Sequence, residues 1–308
     1  MSAHQVTVRA PAKINLGLSV GPPRPDGFHP LATVYQAVAL YDDVTATLRD
    51  DSDVTVEVLG DFAADVPTDS TNLAVKAARV LQAEYDVEEG VDLVIRKTIP
   101  VAGGMAGGST DAAATLVACN RLWGLGLTQP ELEHLAADLG SDVPFCLVGH
   151  TALGRGRGEQ VTEVMSRGTF HWVFAIAEGG LSTPAVFREL DRLRPLRRVE
   201  PPEVHPELLT ALLSGQPAAL AVALSNDMQA AALSLRPELS ATLQFGLDQG
   251  ALAAMISGSG PTCLFLAADS RRAVDLAVEL AESGLCRMVR QAEGPVPGAR
   301  ILPAPIPR

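Results

Sequence analysis

The sequence predicts an α+β protein with two domains, and three observations support this fold class. Apolar and polar side chains alternate at 44–48 and again at 54–58, which is typical of half-buried strands in an antiparallel sheet. From Asn72 onward the apolar residues recur with the period of a helix. Beyond about residue 157 the series of strands and helices begins again, and 308 residues are enough for two domains of ordinary size.

The first half of the chain contains the elements on either side of a glycine-rich loop. Capping residues at 69–72 predict the start of a helix. A strand at 91–98 follows, and after the loop an alanine-rich helix continues to about Trp123. A further helix begins near Pro130 and ends at Gly140, which we expect to be a C-cap in the left-handed conformation.

The second half begins with a strand at 169–177. Helices are predicted at 184–193, 204–213, 217–234 and 237–248. A strand–turn–strand at 251–266, a helix at 271–283 and a closing strand near Met288 follow. The predicted domains are 1–158 and 159–293. The remaining residues, 294–308, are rich in proline, and we expect them to form a loosely attached tail.

The composition excludes several classes of function. A net charge of −12 disfavours a general nucleic-acid binder, because such a protein needs a basic surface to neutralise phosphates. No apolar stretch approaches the roughly 20 residues of a membrane span, and the first residues lack the basic-then-apolar order of a secretory signal. The four cysteines and six histidines show no metal-ligand spacing. We therefore expect a cytoplasmic protein that binds neither nucleic acid nor a membrane.

The segment 99–113 is the strongest local indication of a ligand. Its four glycines let the backbone turn sharply and bring its N–H groups close to a bound group. A helix that starts at about Gly108 adds the positive end of its dipole, so loop and helix together suit a phosphate. The segment is not a standard P-loop, because Ser109 stands where that motif has lysine, and the dinucleotide pattern GxGxxG is absent. A glycine-rich connection without a ligand remains the alternative.

Three segments resemble the motifs of the GHMP kinases, the family of galactokinase, homoserine kinase, mevalonate kinase and phosphomevalonate kinase. They are Pro-Ala-Lys-Ile-Asn-Leu at 11–16, the loop at 100–113, and Ile-Ser-Gly-Ser-Gly-Pro-Thr at 256–262. The resemblance implies a first domain like the second domain of a ribosomal protein and a ferredoxin-like second domain. It also implies an ATP-dependent kinase that uses Mg²⁺ and holds ATP and an alcohol in the cleft between the domains.

The resemblance also implies which residues bind ATP. The loop backbone would hold the phosphates, and Ser109 or Thr110 would contact magnesium directly or through water. Asn72 and Lys97 match positions near the adenine, although Asn72 is equally suited to cap the following helix. The implied ATP-binding set is Asn72, Lys97, Pro100, Val101, Ala102, Gly103, Gly104, Met105, Ala106, Gly107, Gly108, Ser109 and Thr110.

The sequence departs from the usual family pattern at three positions. Ala102 and Ala106 stand where many relatives carry glycine, so we expect both positions to avoid positive φ. Phe28 stands where tyrosine is more usual, which keeps the aromatic face and loses only a hydroxyl. The first two departures bear on the shape of the loop, and the third bears on the acceptor pocket.

Catalysis is assigned by the resemblance to two residues that lie far apart in the chain. Asp142 would accept the proton of the acceptor hydroxyl, and Lys13 would keep that carboxylate ionised and stabilise the transferring group. Asn15 would orient polar groups of the substrate. Each has a simpler alternative, because Asp142 could be a turn or cap residue, Lys13 an exposed lysine, and Asn15 a polar group bonded to backbone.

Further segments at 26–29, 140–145 and 183–187 resemble one branch of the family. Its members phosphorylate the 2-hydroxyl of a cytidine-diphosphate-linked polyol in isoprenoid precursor synthesis by the non-mevalonate pathway. That branch implies a cytosine pocket in which two phenylalanines stack on the base and a histidine pairs with its polar edge. The implied substrate-binding residues are Asn15, Phe28, His29, Asp142, Thr183 and Phe187.

Two other functions remain open from the sequence. One is another small-molecule GHMP kinase, of the homoserine or mevalonate type, but neither substrate offers a base for the aromatic residues to stack on. The other is a nucleotide-binding module without phosphotransfer. The presence of both Lys13 and Asp142, the two residues implied in catalysis, argues against it. The expected partners are ATP and the cytidine-linked polyol, and the expected state is a monomer or homodimer.

Overall fold

The computed structural model describes residues 4–194 and 199–303. The strands in these residues are β1 (Gln5–Val20), β2 (Leu31–Arg49), β3 (Val54–Gly60), β4 (Gly90–Lys97), β5 (Thr151–Arg155), β6 (Gln160–Glu163), β7 (Phe170–Ile176), β8 (Ser225–Asn226), β9 (Ala253–Ile256), β10 (Cys263–Ala267), β11 (Met288–Gly294) and β12 (Arg300–Ile301). The helices are α1 (Leu73–Glu84), α2 (Gly107–Leu122), α3 (Gln129–Leu139), α4 (Val143–Val148), α5 (Thr183–Leu193), α6 (Pro206–Ser214), α7 (Pro217–Ala223), α8 (Gln229–Leu235), α9 (Leu239–Asp248) and α10 (Ser270–Glu282).

The strands form two sheets, which confirms the α+β fold class. The larger sheet has the order β12-β1-β2-β4-β3, with β5 also paired to β2, β6 to β5, and β8 to β1. Its pairs are antiparallel except β3 with β4 and β1 with β8. The smaller sheet is antiparallel throughout, in the order β11-β7-β10-β9.

Helix α2 lies against the larger sheet and carries the glycine-rich loop at its N-terminus. Its alanines 112, 113, 114 and 118 are fully buried, and they pack in one apolar core with α1 and with the strands β1, β2 and β4. Small side chains let the helix axis approach the sheet closely. The alanine-rich sequence therefore fixes where the glycine-rich loop ends relative to β1.

A second apolar core joins the two sheets. Ile14 and Leu16 of β1 pack with Trp172 of β7 and Leu208 of α6, and all four are buried. The indole N–H of Trp172 donates to the side-chain oxygen of Gln36 at 2.9 Å. The halves of the chain are thus held together by apolar burial and by a buried polar group that has its hydrogen-bond partner.

Two local expectations are corrected by the structure. The helix expected at 217–234 is divided into α7 and α8, because Ser225 and Asn226 form the short strand β8 beside β1. The Asn226 side chain donates to the carbonyls of Ile256 and Gly258, which stabilises that break. Gly140 follows α3 but has φ 170°, so it is extended and not left-handed.

The proline-rich C-terminal residues are attached more firmly than expected. The N–H of Val296 donates to Ala37 at 3.1 Å, and its carbonyl accepts from His150 at 2.7 Å. The N–H of Ala299 donates to Cys146 at 2.9 Å, and β12 then pairs with β1. Gly294 thus ends β11 in the smaller sheet, and residues 296–301 are bound to the N-terminal half, with β12 in the larger sheet. Residues 304–308 lie outside the described residues.

In 4–194 and 199–303, no helix combines the length and the apolar character needed to cross a membrane.

Candidate active site

One cavity of about 820 Å³ brings together most of the residues that the sequence singled out. Its volume is in the usual range for a small-molecule site. The glycine-rich loop, the middle of β1, the α3–α4 connection and the N-terminal turn of α5 all contribute to its walls. The predicted residues that line it are Lys13, Asn15, Phe28, His29, Ala102, Gly103, Gly104, Ala106, Gly107, Gly108, Ser109, Asp142, Thr183 and Phe187.

The glycine-rich loop is held against a turn of the C-terminal half. Gly104 has φ 77°, and a Cβ on it would lie 1.9 Å from the carbonyl oxygen of Ser257. The Ser257 hydroxyl in turn donates to the Gly104 carbonyl at 3.1 Å. Only glycine fits this position, because any side chain would displace the backbone of the turn.

The loop ends in unpaired N–H groups that point to an anion site. Helix α2 begins at Gly107, one residue before the expected start, and the residues that the structure describes offer no acceptor for the N–H groups of Gly107, Gly108 and Ser109. A Cβ on Gly108 would contact only Leu73, at 3.5 Å, and both residues line the cavity. The absent side chain therefore leaves room beside the helix N-terminus, which suits a phosphate group.

The expectation for Ala102 and Ala106 is wrong. Ala102 has φ 52° and Ala106 has φ 61°, so both adopt the left-handed conformation that alanine disfavours by roughly 1–2 kcal/mol. Ala106 is the residue before α2 and packs on the core beneath that helix. The loop therefore keeps its glycine-like shape, and the surrounding contacts impose the strain on both alanines.

Lys97 does not reach the cavity through its side chain, contrary to the expected contact with adenine. It is 1% exposed, and its Nζ donates to Asp42 at 2.7 Å, Asp111 at 2.5 Å and the Gly107 carbonyl at 2.8 Å. Burial lowers the pKa of Lys97, but the carboxylates of Asp111 and Asp42 more than offset it, so the pKa is raised. The lysine is a buried ion that ties the start of α2 to β2 and β4.

Asn72 acts as the helix cap that the sequence offered as its alternative role. Its Oδ1 accepts from the N–H of Ala74 at 2.8 Å, and its amide donates to the Pro67 carbonyl at 2.7 Å. The side chain is 4% exposed and does not line the cavity. The cap fixes the N-terminus of α1, whose first residue, Leu73, does line it.

Four further loop residues support the site from outside the cavity. Thr110 is fully buried and donates to the Pro11 carbonyl at 3.0 Å, so it is not placed to contact magnesium. Met105 is buried in the core between the sheets, and its carbonyl accepts from the N–H of Lys13 at 3.2 Å. Pro100 and Val101 precede the turn without lining the cavity.

Lys13 and Asp142 meet in the cavity although they are far apart in sequence. Their Nζ and Oδ2 atoms are 3.5 Å apart, and Lys13 is 6% exposed. Shifts in register on both sides of this part of β1, after Pro11 and after Asn15, mark bulges that bend the strand. Asn15 accepts from Lys13 at 2.8 Å and donates to the Thr33 hydroxyl at 2.8 Å. Asn15 thus holds the lysine in place.

Asp142 is not a capping residue. It precedes α4, yet its side chain makes no capping hydrogen bond. Its Oδ1 accepts instead from the Tyr35 hydroxyl at 3.1 Å, and 30% of its side chain is exposed to the cavity. The carboxylate therefore faces a tyrosine, a lysine and open space, which is the arrangement expected for a base that receives a proton from a ligand.

The other end of the cavity carries the aromatic residues. Phe28 is 51% exposed, with the Arg157 guanidinium 5.2 Å from its ring centre. His29 is buried and stacks on Phe187 with the ring centres 4.8 Å apart, and its Nε2 lies 3.0 Å from a carboxylate oxygen of Asp191. One face of Phe187 is therefore occupied by His29, and Arg157 lies over one face of the half-exposed Phe28 ring.

Thr183 joins this end of the cavity to the C-terminal turn. Its hydroxyl lies 2.8 Å from the hydroxyl of Ser259, and both residues line the cavity. Several residues that line the cavity were not predicted from the sequence, among them Tyr35, Arg157, Arg188 and Asp191. No local pattern marks them, because their positions depend on strand pairing and on helix packing between distant segments.

Comparison with known proteins agrees with this architecture. The chain matches the family model of the GHMP kinase N-terminal domain at residues 72–150 and that of the C-terminal domain at 208–284. It is similar to a solved structure of 4-(cytidine 5'-diphospho)-2C-methyl-D-erythritol kinase, with a TM-score of 0.77 and 30% identity over 93% of this chain and 98% of the other. A homoserine kinase from Cytophaga hutchinsonii shares the fold, with a TM-score of 0.75 at 18% identity over 98% of each chain.

Relatives of higher identity cover nearly the whole chain. A 4-diphosphocytidyl-2-C-methyl-D-erythritol kinase of Nocardia farcinica is 58% identical over 96% of both chains. Another, of Streptomyces avermitilis, is 57% identical over 96% of this chain and 99% of its own. The chain belongs to the GHMP kinases, and within them to the family that these relatives represent.

Proposed function

We propose that this protein transfers the γ-phosphoryl group of ATP to the 2-hydroxyl of 4-diphosphocytidyl-2-C-methyl-D-erythritol. The observation that carries this proposal is the pairing of Lys13 with Asp142 at 3.5 Å inside a cavity that also contains a phosphate-type loop. The substrate is suggested by the relatives of that name and by the aromatic end of the cavity.

In the proposed reaction Asp142 takes the proton from the acceptor hydroxyl as that oxygen attacks the γ-phosphorus. The new O–P bond forms while the bond from the γ-phosphorus to its bridging oxygen breaks, and ADP leaves with the bond electrons. Lys13 stabilises the negative charge on the transferring group and lies 3.5 Å from the Asp142 carboxylate. The free N–H groups at 107–109 hold the phosphates, so the protein contributes mainly alignment and electrostatics.

Magnesium fits this site as an ion held largely by the phosphates. No group of three or more metal-ligating side chains occurs in residues 4–194 and 199–303. Sites of this kind usually supply only one or two protein oxygens to magnesium, and the ion neutralises charge that develops on the phosphates. Ser109 lines the cavity at the end of the loop, and we propose its hydroxyl as a direct or water-mediated ligand.

The aromatic end would bind the cytidine diphosphate part of the acceptor. Phe28 is half exposed, and its ring face away from Arg157 would stack on the base, which is worth roughly 1–3 kcal/mol per base. His29 is fixed by Asp191 and Phe187 and would present its remaining polar edge to the base. Arg157 and Arg188 supply positive charge at this end of a chain with net charge −12, which suits a diphosphate.

The decisive experiment compares acceptors. ATP consumption and product mass are measured with the cytidine-linked polyol, with homoserine, with mevalonate and with the polyol phosphate that lacks cytidine. We expect Mg²⁺-dependent turnover with the first acceptor and at least tenfold lower kcat/KM with the others.

Equal turnover of an acceptor without a nucleobase would favour another kinase of the family. Nucleotide binding without turnover of any acceptor would favour a non-catalytic module. The cytoplasmic location and the monomeric or homodimeric state stay predictions.

A further inference from the structure

Tyr35 occupies a central place in the site that the reaction scheme above leaves without a role. In the pairing of β1 with β2 it lies opposite Asn15, so both side chains are on the face that carries Lys13. Tyr35 is 2% exposed, and its ring centre lies 5.3 Å from the Lys13 Nζ. Its hydroxyl donates to Oδ1 of Asp142 at 3.1 Å, and the described part of the chain gives that hydroxyl no other partner.

The tyrosine ring is held from two further sides. Phe145 of α4 packs on it with ring centres 4.8 Å apart. A Cβ on Gly154 would lie 2.5 Å from the ring atom Cε2, and a Cβ on Gly158 would lie 2.3 Å from the hydroxyl oxygen. The β5–β6 hairpin therefore packs directly on the ring through two glycines, and the hydroxyl has a fixed position before it meets Asp142.

We propose that Tyr35 is a positioning residue: its hydroxyl holds Oδ1 of Asp142, so that Oδ2 is directed to Lys13 and to the acceptor hydroxyl. The proposal rests on the function proposed above. A carboxylate with 30% exposure can rotate about its side-chain bonds unless one oxygen is bound. The base is thereby held in one orientation, which is what efficient proton transfer requires.

The charges around Asp142 agree with this role. Lys13 faces it from β1, Tyr35 from β2 and Cys146 from α4, while Glu159 and Arg157 lie on the β5–β6 turn beside the tyrosine and in the cavity wall. Burial, and then the Asp142 charge, raises the pKa of Tyr35 well above its usual value, so the hydroxyl remains a donor at neutral pH. Burial also raises the pKa of Cys146 to about 12, so the thiol stays neutral.

The first test replaces Tyr35 by phenylalanine in the full chain, with Tyr41→Phe as the matched control. Tyr41 lies on the same strand between Arg9 and Arg300 and does not line the cavity. Tyr35→Phe should lower kcat by about 10- to 100-fold, the value of a hydrogen bond to a charged group. Both KM values should change by less than about twofold, because the base acts in the transition state. The double variant Tyr35→Phe/Asp142→Asn should be no slower than Asp142→Asn alone.

A second readout does not depend on activity. Without the tyrosine hydroxyl, Oδ1 of Asp142 loses its hydrogen-bond donor, so the carboxylate should rotate or occupy more than one orientation. A crystal structure of the ligand-free Tyr35→Phe variant measures this directly, and the distance between the Lys13 Nζ and the Asp142 Oδ2 should change from 3.5 Å. The control should leave both unchanged.

Two results would overturn the proposal. An unchanged kcat together with an unchanged orientation of the Asp142 carboxylate would mean that Tyr35 only fills space. A higher KM for the acceptor at an unchanged kcat would make the hydroxyl a substrate contact. If the wild-type protein does not phosphorylate the cytidine-linked acceptor, the proposed function fails, and the crystal structure of the variant still decides whether Tyr35 holds Asp142.

Discussion

Replacing Gly108 by valine tests the phosphate loop without disturbing the core beneath it. The Cβ at this position would contact only Leu73, at 3.5 Å, so the added methyl groups would lie in the cavity beside the free N–H groups of α2. Valine has a helix propensity no worse than that of glycine, so the helix itself should not be weakened. We expect the variant to fold with nearly wild-type stability.

The loss of ATP affinity follows from the contacts that the valine would block. A single hydrogen bond from an N–H group to a charged phosphate oxygen is worth about 1.5–3 kcal/mol. Losing one therefore weakens ATP binding at least tenfold, which is about 1.4 kcal/mol. Isothermal titration calorimetry measures the affinity, and denaturant unfolding measures the stability of the same sample.

Two further variants make this test specific. Gly107→Val would place its Cβ 3.0 Å from the Lys97 Nζ and 3.1 Å from the Pro100 carbonyl, so it should destabilise the fold itself. Arg271→Val changes the exposed second residue of α10, as Gly108 is the second residue of α2, and should leave ATP affinity unchanged. A folded Gly108→Val variant with wild-type ATP affinity would refute the phosphate-site interpretation.

The remaining predictions concern the base, the base pocket, the buried ion and the strained loop. Asp142→Asn should lower the single-turnover rate by about 10²–10⁴-fold with little change in binding, because it removes the proton acceptor and keeps the shape. Phe187→Ala should raise the KM of the cytidine-linked acceptor and leave ATP affinity unchanged, as measured by steady-state kinetics and calorimetry. Lys97→Met should lower the free energy of unfolding by about 3–5 kcal/mol, because it removes the buried cation that balances the carboxyl groups of Asp42 and Asp111. Ala106→Gly should raise that free energy by about 0.5–1 kcal/mol, because it relieves a left-handed alanine.

Each of these four predictions would be contradicted by a specific result. An Asp142→Asn variant that keeps more than about a third of the chemical rate would show that the residue is not the base. If Phe187→Ala weakened the binding of the acceptor and of ATP equally, the substitution would have damaged the fold, and the result would not support a base pocket. Lys97→Met is compared with Lys76→Met, which changes an exposed lysine of α1 and should be neutral. A less stable Ala106→Gly variant would mean that packing of the Ala106 methyl group stabilises the fold by more than the left-handed conformation destabilises it.

The sequence predicted the features that have local causes. Glycine spacing marked the loop and the start of α2 to within one residue, and the change of apolar period marked α1. Ala102 and Ala106 were misjudged because positive φ at alanine leaves no trace in the sequence; contacts with distant segments impose it. The break between α7 and α8 was missed for a similar reason, since it depends on pairing with β1.

Site residues were predicted or missed for the same reason, because motifs are local whereas contacts between distant segments are not visible in the sequence. Lys13 and Asp142 were identified through motifs, but their contact at 3.5 Å depends on the register of β1 and on the position of α4. Tyr35 carries no motif at all, and only its position opposite Asn15 brings it to the carboxylate. Lys97 was placed near the adenine because it matches a family position, and its two carboxylate partners, from β2 and α2, were not evident from local spacing.

A phosphoryl-transfer site must hold a donor, an acceptor and the catalytic groups close together, and the turn at 257–260 lies next to the glycine-rich loop, the acceptor end and Lys13. Ser257 bonds to the glycine-rich loop, and Ser259 contacts Thr183 at the acceptor end. Between them, a Cβ on Gly258 would lie 3.1 Å from the Asn15 Oδ1 and 3.7 Å from the Lys13 Nζ. Since Gly258 has φ 53°, a side chain there would be strained as well as crowded. The glycine thus lets the turn approach the lysine closely, while the serines on either side fix its distance from both substrate sites.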